Sequence, residues 1–127
     1  MNSDNEKKLE RRIATAAEAV LMERRFVTPI DVLVGIDWLP ASQVEHWRRG
    51  RVPYLERSIV ANLKKLGTTL RVFRRWAEAR GLRPSETVYT TWTPDRRRLR
   101  FTKTGDPNIE RAYRTHWIQP ENGVGGS

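Results

Sequence analysis

Between Thr28 and Pro53 the chain, TPIDVLVGIDWLPASQVEHWRRGRVP, is punctuated so closely that only short helices fit. Thr28 and Asp31 form a Thr-x-x-Asp capping box with Pro29 in the first turn, so a helix starts there. Gly35 and the corner Asp37-Trp38-Leu39-Pro40 close it. A second short helix, Ala41 to Arg49, stops at Gly50, which suits a left-handed C-cap. Two compact helices whose exit carries Arg48, Arg49 and Arg51 are the minimum needed to lay one helix against a nucleic-acid groove.

Around this segment the periodicities predict a mainly α fold of about five helices, with a single β-hairpin before the last. The first helix, Asp4 to Arg24 with Ser3 or Asp4 as N-cap, carries the stripe Leu9, Ile13, Ala16, Ala17, Val20, Leu21. Pro53 opens the longest helix, which runs to Arg80 and buries Leu55, Ile59, Leu63, Leu66, Leu70, Phe73 and Ala77. Asn62 is a polar interruption beside that stripe, Gly67-Thr68-Thr69 marks a bend, and Gly81 ends the helix. At roughly 40 Å such a helix outruns the core of one small domain.

Thr87–Thr93 and Leu99–Thr104 are β-branched and aromatic, and Pro94-Asp95-Arg96-Arg97 between them is turn chemistry; hence a hairpin over 87–104. Gly105-Asp106-Pro107 caps a final helix to Trp117, Pro120 stops it, and 121–127 reads as a flexible tail. The organisation is thus one helical domain over 1–120, with the helix-turn-helix-like segment at 28–53.

Charge narrows the partners. The 127 residues hold 24 Lys+Arg against 15 Asp+Glu, a net +9, which puts nucleic acid first and an acidic protein surface or anionic lipid behind it. Five Trp, three Tyr and three Phe supply enough apolar surface for a folded core. The absence of cysteine excludes disulfides and thiolate zinc sites. The charged start MNSDNEKKLERR is no signal peptide and no run approaches a membrane span, so a cytoplasmic, membrane-free protein is expected.

From Val27 onward the chain resembles the helix-turn-helix of the phage-repressor/Cro-like family. That pattern opens Leu-Thr-x-x-x-Leu-Ala, passes a turn, and leaves by an Ile/Val and a Trp-x-x-Gly with a proline beyond. Here Val27-Thr28 opens the first helix, Val32 and Leu33 take its buried positions, Val44 anchors the second, Trp47-Arg48-Arg49-Gly50 is the exit and Pro53 the trailing proline. Two features depart from it. Asp37-Trp38 replaces the usual turn glycine, and the interval to Trp47 is one residue longer while Pro53 comes one residue early. The resemblance implies that Ser42, Gln43, Glu45, His46 and Arg49 face bases or phosphates while Val44 and Trp47 pack inward. Gln43 would be the adenine reader, Arg48, Arg49 and Arg51 the phosphate clamps, and a homodimer the working form.

Two more basic clusters lie outside the motif. Arg96, Arg97, Arg98, Arg100 and Lys103 decorate the hairpin, either as an arm reaching the nucleic-acid backbone or as charge protecting an edge strand. A long helix separates them from the helix pair, so they make no standard wing. Lys64, Lys65, Arg71, Arg74 and Arg75 lie on the fourth helix as a further footprint or a solvated face. Tyr89 and Trp92 fall on opposite faces of a strand, and an exposed ring beside arginines suits base stacking.

Catalytic signals are sparse: His46 and His116 are the two histidines, with no Gly-rich phosphate loop, Cys nucleophile or metal-ligand spacing. Tyr113, Arg114 and His116 with Asp106 or Glu110 make one conceivable polar site. The expectation is therefore a small, basic, non-enzymatic, bacterial-type protein binding duplex DNA, with no metal or cofactor. The alternatives are a protein-interaction or dimerisation module acting through helix 53–80, and an RNA-binding protein or small ribonuclease.

Overall fold

A computed structural model describes residues 3–120, and among these the chain is mainly α: five α-helices, one 3₁₀ turn and a three-stranded antiparallel sheet. The N-terminal stripe forms α1, Ser3–Glu23, which buries Leu9, Ile13 and Ala17 and packs Ala16, Val20 and Leu21 along the same core. α1 already includes Ser3 and Asp4 as helical residues, so neither is the N-cap expected of them; the tail 121–127 lies outside the described residues.

The predicted punctuation governs the next two helices. α2, Pro29–Gly35, starts on the capping box: Asp31 N–H donates to Thr28 Oγ1 at 3.2 Å, and Thr28 N–H donates to the Asp31 carboxylate at 2.8 Å. It ends with Asp37 N–H on Val34 O (3.1 Å) and Trp38 N–H on Leu33 O (3.0 Å), a Schellman turn. Asp37, standing where the resemblance expects glycine, adopts a left-handed φ of 64°, which a short polar side chain tolerates. α3, Ala41–Arg48, ends in a second Schellman turn through Gly50 at φ 76°.

The long helix expected over 53–80 is a misreading of two elements. A 3₁₀ turn, Leu55–Ser58, is followed by α4, Leu63–Ala79, of 17 residues, or about 25 Å. Asn62 is the N-cap of α4, its Oδ1 accepting from Lys65 N–H at 2.8 Å. An Asn that offers the backbone a competing acceptor restarts a helix rather than carrying one through. Leu55 and Ile59 are buried from the 3₁₀ segment and so imitated helical spacing, whereas Leu63 is 71% exposed. A helix of this length fits one core, which removes the length argument for a partner helix.

The C-terminal half folds back on this scaffold. β1, Phe26–Val27, and β2, Arg83–Glu86, both pair with a central β3, Thr115–Ile118, in registers such as Val27↔Trp117 and Pro84↔Trp117. The final helix expected to reach Trp117 stops sooner: α5 spans Pro107–Arg114, capped by Asp106, and hands over to β3. The aromatic, β-branched run Thr115-His116-Trp117-Ile118 gains ladder bonds on both sides and buries Trp117 in the α1 core.

The hairpin over 87–104 turns back at Thr93–Arg96, with the bridge Thr90↔Arg98 and the bonds Thr91 N–H to Arg97 O and Leu99 N–H to Tyr89 O, both 2.8 Å. Its second arm then leaves the first. Arg100 O and Phe101 O accept from Leu55 and Glu56 N–H of the 3₁₀ turn at 3.2 and 2.9 Å. The Glu110 carboxylate of α5 accepts from Phe101 N–H, Thr102 N–H and Thr102 Oγ1 at 3.1, 2.7 and 2.7 Å.

Because Asn62 caps α4, Asn62→Ala should destabilise the protein by about 1 kcal/mol in urea unfolding. In a continuous helix over 53–80 the same change would be neutral or stabilising, since alanine is the better helix former.

Candidate nucleic-acid interface

Trp47 determines where the basic segments meet. Fully buried on the last turn of α3, it donates from Nε1 to Arg100 O at 2.8 Å and packs on Phe101 and Tyr89 at ring separations of 5.0 and 5.6 Å. Trp92 N–H donates to Arg48 O at 2.7 Å, so the first hairpin arm is pinned to the end of α3 as well. The separation expected between hairpin and helix pair is thus overturned: packing sets the two arginine clusters side by side.

On this face Arg48 lies between two aromatic rings, its Cζ 5.2 Å from the Tyr89 centroid and 5.0 Å from that of Trp92. Burial lowers the Arg48 pKa from its ordinary value, and its Nε has no hydrogen-bond partner among the described residues. Arg49 is exposed, ion-paired with Glu45 at 3.1 Å, and has its Cζ 5.8 Å from the Trp92 ring. The hairpin tip is braced by Asp95, which accepts from Arg97 Nε at 2.7 Å and from Thr93 and Thr91 Oγ1. The hydrogen bonds from Thr93 and Arg97 hold the Asp95 carboxyl below its ordinary pKa. Arg96, at φ 50°, and Arg98 are exposed at the tip, with no carboxylate within ion-pair distance among the described residues.

The other expected site residues divide. Ser42 is exposed on α3 beside Glu45. Gln43 is half-buried and accepts from Ser58 Oγ at 3.1 Å, tying it to the 3₁₀ turn. His46 accepts at Nδ1 from Arg51 at 3.2 Å. Arg51 and Arg57 line a polar pocket of about 500 Å³ together with Gln43 and Ser58. Arg100 braces its own loop, donating to Thr102 O and Lys103 O at 3.2 and 2.6 Å.

On α4, by contrast, two of the five basic residues meet acids: Arg74 pairs with Glu78 at 3.4 Å, and Arg75 with Glu6 and Glu10 at 3.6 and 3.8 Å, while Arg71 donates to Thr68 Oγ1 at 3.3 Å. Spacing put Tyr89 and Trp92 on opposite faces without saying which is open; the structure exposes Trp92, and nothing in the sequence joined it to Arg48. Arg57 carried no signal at all, because its position depends on the 3₁₀ turn.

The polar site conceived near the C-terminus does not assemble. Tyr113 OH donates to Glu56 at 2.9 Å, Glu110 holds the hairpin arm, Asp106 caps α5 and Arg114 pairs with Glu86 at 3.2 Å. Burial raises the pKa of Glu56, and burial followed by the Glu56 charge raises that of Tyr113. His116 stacks on Phe26 at 5.6 Å and its Nε2 lies 2.8 Å from Tyr89 OH; burial lowers its pKa and pushes that of Tyr89 up to about 12. Among the described residues no group of His, Asp and Glu is arranged to hold a metal ion, and no helix is long and apolar enough to cross a membrane.

Comparison of the chain with protein-family models, curated proteins and solved structures returns no match.

A Cβ at Gly50 would sit 2.6 Å from Arg97 Nη2, whereas one at Gly81, also left-handed at φ 79°, would meet nothing within 4 Å. Gly81→Ala should therefore show only the backbone strain, about 1–2 kcal/mol in urea unfolding. Gly50→Ala should carry a similar strain and displace only the Arg97 guanidinium, whose exposed, flexible end can swing aside; a clearly larger loss would mean that Arg97 is fixed in place.

Burial lowers the His116 pKa in the fold below the value of about 6.5 that it has when unfolded. Around and below that unfolded value the unfolded state binds more protons, so stability falls as pH falls through it. His116→Gln should flatten the slope of thermal midpoint against pH, and an unchanged slope would refute the assignment.

Proposed function

We propose that this chain is a small, basic, non-enzymatic protein that binds duplex DNA, with α2 and α3 acting as a helix-turn-helix of the phage-repressor/Cro-like kind. The observation that carries the reading is the convergence, at the end of α3, of two arginine clusters far apart in sequence. Their carboxylate partners among the described residues are Glu45 and Asp95, which leaves Arg48, Arg51, Arg96 and Arg98 outside ion pairs. Such a surface attracts a polyanion through counterion release.

In this arrangement the exposed α3 residues Ser42, Glu45 and Arg49 face the groove, and Arg96 and Arg98 reach the backbone as a wing-like arm. Arg51, with Arg57, holds a neighbouring phosphate at the polar pocket. The site of action is the cytoplasm, where duplex DNA of the bacterial type is accessible.

Titration of labelled duplex DNA, single-stranded DNA and RNA across salt tests the proposal. Binding should be tightest for duplex and fall steeply with salt, each phosphate contact adding about −0.9 to the slope of log K against log salt. Arg96→Ala and Arg98→Ala should each reduce that slope by about one unit, while Arg74→Ala, on the acid-paired face, should leave it unchanged. No binding at low salt, or an equal effect from Arg74→Ala, would overturn it.

A further inference from the structure

We infer that Trp92 is a stacking platform for one unpaired nucleobase at the edge of the nucleic-acid surface, an inference that rests on the nucleic-acid reading above. The other rings of this region are packed: Trp47, Phe101 and Tyr113 are buried, and Tyr89 lies edge-on to Phe101 at 5.3 Å. Trp92 keeps 56% of its surface open.

Its setting is rigid. Its backbone N–H is held by Arg48 O, and the residues on either side, Thr91 and Thr93, join hydroxyls at 2.7 Å and share Asp95. Beneath it lies the Arg48 guanidinium, its Cζ 5.0 Å from the Trp92 centroid and 5.2 Å from that of Tyr89, a cation–π contact with both rings. An indole held outward by a cationic spacer loses little conformational freedom when something stacks on it.

The chemistry of the occupant follows from the neighbours. Arg49 at the ring and Arg96, Arg97 and Arg98 on the adjoining tip suit the phosphates flanking a base, and they disfavour an apolar protein partner. A base inside a paired duplex has both faces covered by its neighbours, so the platform requires one that is bulged, frayed or flipped.

The test uses the full chain and two duplexes, one fully paired and one carrying a single bulged fluorescent adenine analogue. Wild-type protein should bind the bulged duplex about tenfold more tightly and quench the analogue on binding. Trp92→Ala should abolish the preference while leaving affinity for the paired duplex unchanged, and Trp92→Phe should restore most of it. Equal wild-type affinity for both duplexes without quenching would overturn the platform and leave duplex binding standing. A Trp92→Ala variant that loses both affinities equally would also overturn it, since the ring would then be only a cover for Arg48. Absence of binding to either duplex and to single strands would overturn the nucleic-acid reading itself. The wild-type quenching needs no variant, so the inference stays testable even if Trp92→Ala fails to fold.

Discussion

The indole of Trp47 is the joint on which the architecture turns. Its ring closes the core between α2, the 3₁₀ turn and the hairpin, and its N–H holds Arg100 O at 2.8 Å. Trp provides a large apolar area and one directional donor at the same time, so a single side chain both packs α3 and sets the register of the hairpin against it. The two arginine clusters share a face because of this joint; without it they would lie on separate elements of a small helical protein.

The distribution of acids has as much to do with the surface as that of arginines. Glu6, Glu10, Glu18 and Glu78 answer Arg74 and Arg75 of α4 and Arg80, which follows it. Glu110 is committed to backbone N–H groups of the hairpin arm, and Glu56 to the Tyr113 hydroxyl. Asp31 serves the α2 capping box. Carboxylates spent on caps, braces and the far side of the molecule are not available to neutralise the end of α3, so among the described residues Arg48, Arg51, Arg96 and Arg98 stay outside ion pairs there.

Rigidity follows from the same contacts. The hairpin tip is tied through Asp95, the second arm through Glu110, and the first arm through Arg48 O. In the proposed nucleic-acid binding, an arm held at three places would meet its ligand with its arginines already near their bound positions, which limits the ordering cost of association.

The amino-acid sequence alone determined the elements whose signals are local. The Thr28-Asp31 box, Pro29, Gly50, Gly81 and the Asp106-Pro107 cap act within one helical turn, and each marks a boundary found in the structure. The α1 stripe was legible for the same reason, as was the alternation that buries Leu99 and Phe101 and exposes Arg98 and Arg100. Tertiary structure decided what depended on partners far along the chain. Leu55 and Ile59 mimicked a helix because burial from a 3₁₀ turn can share its spacing, and Thr115–Ile118 became a strand because β1 and β2, more than thirty residues apart in sequence, both needed its central edge. β2 itself, Arg83-Pro84-Ser85-Glu86, is exposed throughout and has no apolar pattern to announce it. The stacking of Arg48 on Trp92 is of the same kind: α3 and the hairpin each specify their own residues, and only packing on Trp47 sets them against one another.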